Sequence, residues 1–508
     1  MAFIDHARSD NSSVVDLVYT ASPHYSGQFN ATCPPSTHHP FEPTVSVLSW
    51  ILVGVGALLC LSALLSGPQA LIGIVFIEQA FCLRYGYIRA LRQARRGMPD
   101  FLAIFLTTLV VLKGFNIVSL IVGPTEYDSL YYYTTIENRI AAELILGLGL
   151  VCFTLGWHSL RIAGGSTFYS TVPEGLAIRL VPFVLVGWLG LAHLPNSFAQ
   201  QIGFMFHEIY LALLFVIFAG KSRYGSEGSR SWVVIVLIVP ALLSGLTSGT
   251  KELVLTAVAP VLLVYVLRPN LRRIGVTILA GLMVIIVVVP ITQLYRQANW
   301  SAKENVGLTE LFSRLVDAYQ QMGASNIVSE GMVEFANRTS SSISGAIVVG
   351  ATDRLGHTGL ETVKDVFIVF VPRFLWPEKP PVAPGAWFTW HLGYAATPVE
   401  ATTSTATMLA TELYMMSGWL TIPFGMAALG LYYALIWRFI RTMSLRNPIM
   451  GIALVSFMFN AVKFEDMSLI YAITGPVVSM IYMFVLASAY RMFYKPLAQR
   501  WRARYPSS

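Results

Sequence analysis

Seven residues in the second half of the chain have side chains suited to chemistry on a charged substrate. Lys251, Arg296, Arg338 and Arg373 are cations, and His357, His391 and Glu412 can accept a proton. A guanidinium stays charged and grips phosphate oxygens through two parallel hydrogen bonds. Histidine has a proton affinity near neutral pH without help. A carboxylate in an apolar setting is costly unless it is paired or faces a cavity. Cations beside a general base are the parts a group transfer with an anionic leaving group requires. Arg373 is the most constrained of the cations. It lies in VPRFLWPEKPPVAPG (371–385), fifteen residues with five prolines. Proline fixes φ and lacks a donor, and the residue before it is pushed to extended geometry. This stretch is therefore a stiff loop with a preset direction for Arg373. Each histidine also has a simpler reading as a structural residue, and each cation as one that snorkels to a lipid headgroup or solvates a turn. Trp376, Trp387 and Trp390, with Tyr394 and Tyr414, read either as an interfacial aromatic belt or as a platform for sugars. Glu378 and Glu400 are further acidic candidates.

These residues are set in a membrane chain. The protein has 508 residues, 55% hydrophobic and 12% charged, with a mean hydropathy of +0.62. Apolar runs recur near 46–66, 69–88, 101–123, 140–160, 176–194, 204–220, 231–247, 253–267, 274–295, 419–437, 448–464 and 469–490. They predict an all-α, polytopic helix bundle of about 12 transmembrane helices, at about 20 residues per span. With the N-terminus on the cytoplasmic side, inner loops and the C-terminal tail carry nineteen Lys and Arg, against Arg139 and Lys251 in the short outer loops. That asymmetry sets the orientation. It also accounts for the +7 net charge, so no nucleic-acid partner is expected. Lys113 and Arg179, inside predicted spans, read as ion-pair partners or as snorkelling residues.

The organisation that follows is a polar cytoplasmic tail (1–45), helices 1–9 (46–295), one large outer loop (296–418), helices 10–12 (419–490) and a basic cytoplasmic tail (491–508). A long insertion between short connections is usually functional. TELFSRLVDAYQQM (309–322) has helical apolar spacing, and DVFIVFVPRFLW (365–376) reads as a short re-entrant or interfacial segment. The loop is expected to lie on the outer surface as a lid of short helices. The four cysteines (Cys33, Cys60, Cys82 and Cys152) form no CxxC or Cys/His cluster, so neither a zinc site nor a disulfide framework is expected. No GxxxxGKS, GxSxG or HExxH motif is present, and the cytoplasmic loops are too short for a nucleotide-binding domain. No ATP-driven step is expected in this chain.

VPRFLWPEKP resembles the PR-(apolar)-W-P-x-K-P signature of the Wzy family, bacterial polymerases of O-antigen and oligosaccharide repeat units. TATMLATELYMMSGWLTIPFGMAALG (405–430) is similar to that family's Glu and aromatic followed by a Gly-containing span. SGTKE (248–252) resembles its Gly-Ser-Arg/Lys turn, with Lys251 where Arg is common. Arg296 and Gly307 fit an Arg-x10-Gly pattern, while a second such pattern is missing. The resemblance covers roughly residues 245–430 by motif. It implies a glycosyltransferase of the bacterial inner membrane with its large loop periplasmic. Undecaprenyl-pyrophosphate-linked glycans would be its substrates, with lipid pyrophosphate leaving. It implies Lys251, Arg296, Arg338 and Arg373 at pyrophosphate, Glu412, His357 or His391 as the base, and tryptophans at sugar. No metal or other cofactor is implied; a chain-length regulator and a flippase of the same pathway are the implied partners. An O-antigen ligase and a 12-helix transporter or flippase are the rival readings.

Overall fold

The computed structural model describes residues 41–63, 67–96, 99–122, 135–160, 174–192, 194, 197–224, 238–242, 251–267, 269–283, 341–371, 376, 378–380, 382–393, 395–397, 407–444 and 447–489, with single residues 313, 317 and 492. Among these residues there is no strand. The long helices are α1 (Phe41–Ser62), α2 (Gly67–Phe81), α3 (Ile88–Arg96), α4 (Phe101–Val122), α5 (Ile136–His158), α6 (Glu174–Ala192), α7 (Ser197–Tyr224), α8 (Lys251–Leu267) and α9 (Leu271–Met283). A π-helical turn, Cys82–Tyr87, joins α2 to α3. Beyond them come α10 (Ser341–Leu355), α11 (Lys364–Phe370), α12 (Pro384–His391), α13 (Leu409–Ser417), α14 (Thr421–Ser444), α15 (Pro448–Lys463) and α16 (Leu469–Ala489). A 3-10 turn, Phe464–Asp466, links α15 to α16.

Local chemistry sets several of these ends. Thr135 caps α5 by accepting from the Asn138 amide. Asn447 caps α15 by accepting from Ile449 N, with Pro448 at the first helical position, where a missing donor costs nothing. Phe41–Ser62, Gly67–Ala94, Ile136–His158 and Thr421–Ser444 are long and apolar enough to cross a membrane. Among the described residues these four are fewer than the twelve spans expected. Six further apolar stretches are shorter, such as Ala257–Leu267 and Leu469–Ile481. Pro182, Pro260 and Pro476 interrupt three of these helices. The expected spans 231–247 and 274–295 lie largely outside the described residues.

The core is built on α5 against α14. A Cβ on Gly156 would run into the Ala427 carbonyl, and one on Gly430 into the Phe153 carbonyl, so both glycines are needed for this backbone approach. Around this seam Phe101, Phe105, Phe153, Trp157, Tyr433, Phe457 and Phe464 pack ring on ring, with centroids such as Phe101–Tyr433 4.6 Å apart. One end of the bundle gathers charge. Arg89 pairs with Asp100 at 2.6 Å and Arg92 with Glu42 at 3.1 Å, and Arg89 reaches His158 at 3.3 Å. The other end carries α10, α12, α13 and the 3-10 turn.

At that second end the structure departs from the expected surface lid. A Cβ on Gly149 would meet Ala410 at 2.9 Å. Gly149 lies thirteen residues into α5, which places Ala410 about 20 Å below the end of that helix. Helix α13 therefore begins inside the bundle and climbs outward to Gly418, whose φ of +82° turns the chain into α14. All eight residues from Leu409 to Met416 are buried. A surface helix would leave one face in water; the apolar sequence LATELYMM has no such face. The amphipathic segment 309–322 lies almost wholly outside the described residues.

The proline-rich stretch is tied down at its described residues. Helix α11 stops at Val371, which is extended (ψ 115°) ahead of Pro372. Lys379 Nζ donates to the Val369 and Val371 carbonyls at 3.1 and 2.9 Å. A lysine thus satisfies the orphan carbonyls of a helix C-terminus. Tyr471 on α16 donates to the Val382 carbonyl at 3.1 Å, and Pro384 opens α12.

Candidate functional site

Glu412 is the residue around which the outer end is organised. It is 1% exposed. Its Oε2 accepts twice, from Thr407 Oγ1 and from Leu469 N, each at 2.9 Å. Leu469 N is the first amide of α16, a donor that no carbonyl within that helix can satisfy. Glu412 therefore caps α16 with one oxygen, and Oε1 has no hydrogen-bond partner among the described residues. Burial outweighs both hydrogen bonds and pushes the carboxyl up to about 7. The turn that presents Glu412 is strained. Met408, buried, has φ +54° and ψ 137°, a region non-glycine residues seldom occupy and one that costs about 1–3 kcal/mol. That turn directs the Thr407 hydroxyl onto Glu412, and the Glu412 amide onto the Met408 carbonyl at 2.9 Å.

Helices α10, α12 and α13 share a small core of Val348, Ala351, Phe388, Leu392 and Met415. It places both candidate histidines on elements packed with α13, but at different levels. His391 stacks on Trp387, 5.1 Å between centroids and 8° from parallel. Its Nε2 has no hydrogen-bond partner among the described residues. Burial lowers its proton affinity, with Glu361 opposing, which favours the neutral imidazole. His357 is exposed. It meets the Tyr414 ring edge-on at 5.9 Å, and Tyr414 donates to Asp353 at 3.0 Å. The loop that carries His357 is held by Thr358 N and Gly359 N donating to the Met415 and Met416 carbonyls, each at 3.0 Å. Of the three candidate bases, only Glu412 is both buried and fixed by two hydrogen bonds. Trp376 and Trp390 are 39% and 37% exposed, while Trp387 is half-buried against His391.

The expected cations are placed less fully. Lys251 opens α8 and so belongs to a helix rather than a turn; its side chain is outside the described set. Arg296, Arg338 and Arg373 lie outside the described residues. Among the described residues no group of three or more His, Cys, Asp or Glu could hold a metal ion.

Sequence reasoning missed a second polar centre. Lys113 is 2% exposed and makes an ion pair with Glu78 at 2.7 Å and with Glu143 at 2.5 Å, with Glu465 at 4.0 Å. Asn116 donates to Glu143 at 2.8 Å. Lys113 is thus an ion-pair partner and not a snorkelling side chain, whereas Arg179 is exposed. The signal was available: Glu78 and Glu143 interrupt apolar runs, and an ionisable residue inside a span is expected to face a partner.

Residues 189–494 match the family model described as Domain of unknown function (DUF8712). No curated protein matches the chain, and no solved structure does.

Proposed function

We propose that this protein, which belongs to the DUF8712 family, is a membrane polysaccharide polymerase. It joins oligosaccharide repeat units carried on undecaprenyl pyrophosphate, at the outer face of a bacterial inner membrane. In this reading the chain crosses the membrane twelve times with both termini cytoplasmic. The observation that carries the reading is the state of Glu412: one oxygen fixed by Thr407 and Leu469, the other unengaged, with a proton affinity near neutrality. This is what a general base for an acceptor hydroxyl needs. Glu412 Oε1 takes the proton as the hydroxyl oxygen attacks the donor sugar. The bond from sugar to pyrophosphate breaks, and its electrons leave with the lipid pyrophosphate. Arg296, Arg338, Arg373 and Lys251 are the cations assigned to that leaving group, where charge develops in the transition state. Trp376, Trp387 and Trp390 flank the acceptor sugars, and His391 or His357 is the alternative base. The resemblance of VPRFLWPEKP to repeat-unit polymerases supports the same assignment.

A transporter or flippase is the second reading. It is favoured by the short helix α13 starting inside the bundle near the Lys113 ion cluster, an arrangement that transporters use at their midplane sites. Purified protein given an undecaprenyl-pyrophosphate repeat unit separates the two. A ladder of longer lipid-linked products, lost in a folded Arg373→Ala variant, supports the polymerase. Movement of intact lipid-linked sugar across liposomes with no ladder supports the transporter.

A further inference from the structure

At the charged end of the bundle one exposed arginine is left without an acid. Arg89 is matched by Asp100 and Arg92 by Glu42. Arg84, in the π-helical turn between α2 and α3, has no acidic partner among the described residues. It is instead held by two residues of α1. Its Nη1 donates to Ser46 Oγ at 2.6 Å, and its guanidinium lies 5.6 Å from the centre of the exposed Trp50 ring. The turn itself sets this direction. A Cβ on Gly86 would run into Leu106 of α4, so the turn lies with its bare glycine against that helix. The extra residue of a π turn then leaves both Arg84 and Tyr85 facing outward.

The depth of this guanidinium follows from α1. Ser46 and Trp50 stand about 6 and 12 Å further along that helix than the Glu42–Arg92 pair, at 1.5 Å per residue. The whole of α1 has 22 residues and is about 33 Å long, little more than the hydrocarbon layer of a bilayer. Arg84 is therefore at the boundary of that layer, where tryptophan also prefers to be, and not in the water beyond it. Three donors meet there. The Nε–Nη2 edge of Arg84 has no hydrogen-bond partner among the described residues. Ser46 Oγ accepts from Arg84 and keeps its own proton to donate, and the Trp50 indole carries an N–H. One turn deeper, a Cβ on Gly54 would have nothing within 4 Å. This leaves an open apolar notch beside the exposed Ile51 and Leu58.

We infer that Arg84, Ser46 and Trp50 form a binding site for an anionic phospholipid, with its phosphate on the guanidinium and an acyl chain along the Gly54 notch. The guanidinium edge matches two phosphate oxygens at once, and the Ser46 hydroxyl reaches a third position. A zwitterionic headgroup would bring its own cation against Arg84; a net anionic one does not. A free phosphate would meet the same donors but make no use of the notch. Arg92, one to two turns nearer the helix end, adds a second positive charge that Glu42 already answers, so Arg84 is the residue that selects the ligand. The site makes no use of the polymerase reading and holds equally for a transporter.

Fluorescence quenching of the full-length protein in nanodiscs tests it without any substrate. The nanodiscs are phosphatidylcholine with a minor share of phosphatidylglycerol, and bromine is placed on the acyl chains of one lipid or the other. Subtracting the signal of Trp50→Phe isolates Trp50 among the eleven tryptophans. Brominated phosphatidylglycerol is expected to quench Trp50 well beyond its share of the lipid. The preference should be about tenfold, in the range of a charge-assisted pair of hydrogen bonds. Arg84→Gln brings the quenching down to the lipid's share, and Ser46→Ala lowers it in part. Arg438→Gln, which removes an exposed arginine from α14, leaves it unchanged. Ser46→Ala is a small change, so the test stands even where Arg84→Gln does not fold. Quenching in the wild type that only follows the lipid's share overturns the inference. So does a preference that survives both Arg84→Gln and Ser46→Ala in folded protein, or one lost equally in Arg438→Gln. A preference abolished by inorganic phosphate in the buffer also overturns it, since the acyl chain would then contribute nothing.

Discussion

Replacing Glu412 by Gln separates a structural cap from a base. A cap alone would be favoured in its ionised form by the Leu469 amide and the Thr407 hydroxyl. Burial reverses that preference. Moving a carboxyl from its ordinary 4.5 to about 7 weighs about 3 kcal/mol against the ionised form, at about 1.4 kcal/mol per tenfold change. The sign follows from proton counts. Between about 4.5 and about 7 the unfolded chain has released this proton and the folded protein has kept it. Stability due to Glu412 therefore falls as pH rises through that window and is flat above it. Glutamine keeps the acceptor for both donors and cannot ionise. Glu412→Gln should thus match the wild type near the acid end of the window. Above about pH 7 it should exceed the wild type by up to about 3 kcal/mol. Thermal unfolding midpoints in detergent, taken for both proteins across this range, are the assay. The same variant should lose about 10²–10⁴-fold in polymerisation rate, gaining stability as it loses function. A variant less stable than the wild type at every pH, with a parallel profile, would refute the reasoning and leave Glu412 as a cap.

Four further outcomes follow from the geometry. Thr407→Val removes a hydrogen bond that favours the ionised carboxyl, so the acid limb of the pH–rate profile should move upward while kcat falls. Gly430→Leu drives a side chain into the Phe153 backbone and should cost at least about 1–3 kcal/mol, read as a lower unfolding midpoint. Lys379→Met strips donors from the Val369 and Val371 carbonyls and should cost about 1–3 kcal/mol, with faster proteolysis between 371 and 383 as the local readout. Lys113→Ala leaves buried carboxylates without their cation and should cost about 3–5 kcal/mol. Adding Glu143→Gln should recover part of that loss, as measured by the yield of folded protein from detergent.

Helix positions were legible because long apolar runs between charged ends have one outcome in lipid. The described helices α1, α2 and α4 to α7 overlap their expected runs for that reason, whereas α3 (Ile88–Arg96) falls in the stretch expected as a cytoplasmic loop. What the sequence could not convey was depth. LATELYMM is apolar enough to be buried but too short to cross, and nothing in its order distinguishes a surface helix from one that begins about 20 Å inside the bundle. The distinction comes from Gly149, far away in sequence, whose missing side chain admits Ala410. Glu412 was legible as an acid at an apolar boundary. Its division into one tethered and one unengaged oxygen depends on Thr407, Leu469 and the left-handed Met408, a long-range arrangement. Lys379 was not singled out, for a related reason. In WPEKPP it reads as one charge of a rigid loop, and only the fold shows it closing the end of α11. Lys113 was seen alone because its partners Glu78, Glu143 and Glu465 lie on three other elements.

The central claim is glycosyl transfer from a lipid pyrophosphate. Its most direct test is a count of products from the purified protein in nanodiscs with an undecaprenyl-pyrophosphate repeat unit. Released undecaprenyl pyrophosphate and new glycosidic linkages are measured in the same reaction. The account predicts one lipid pyrophosphate released for each linkage formed, with both lost together in Glu412→Gln. Lipid-linked sugar that crosses the bilayer intact, with neither product formed by protein that is folded and substrate that is authentic, would contradict it.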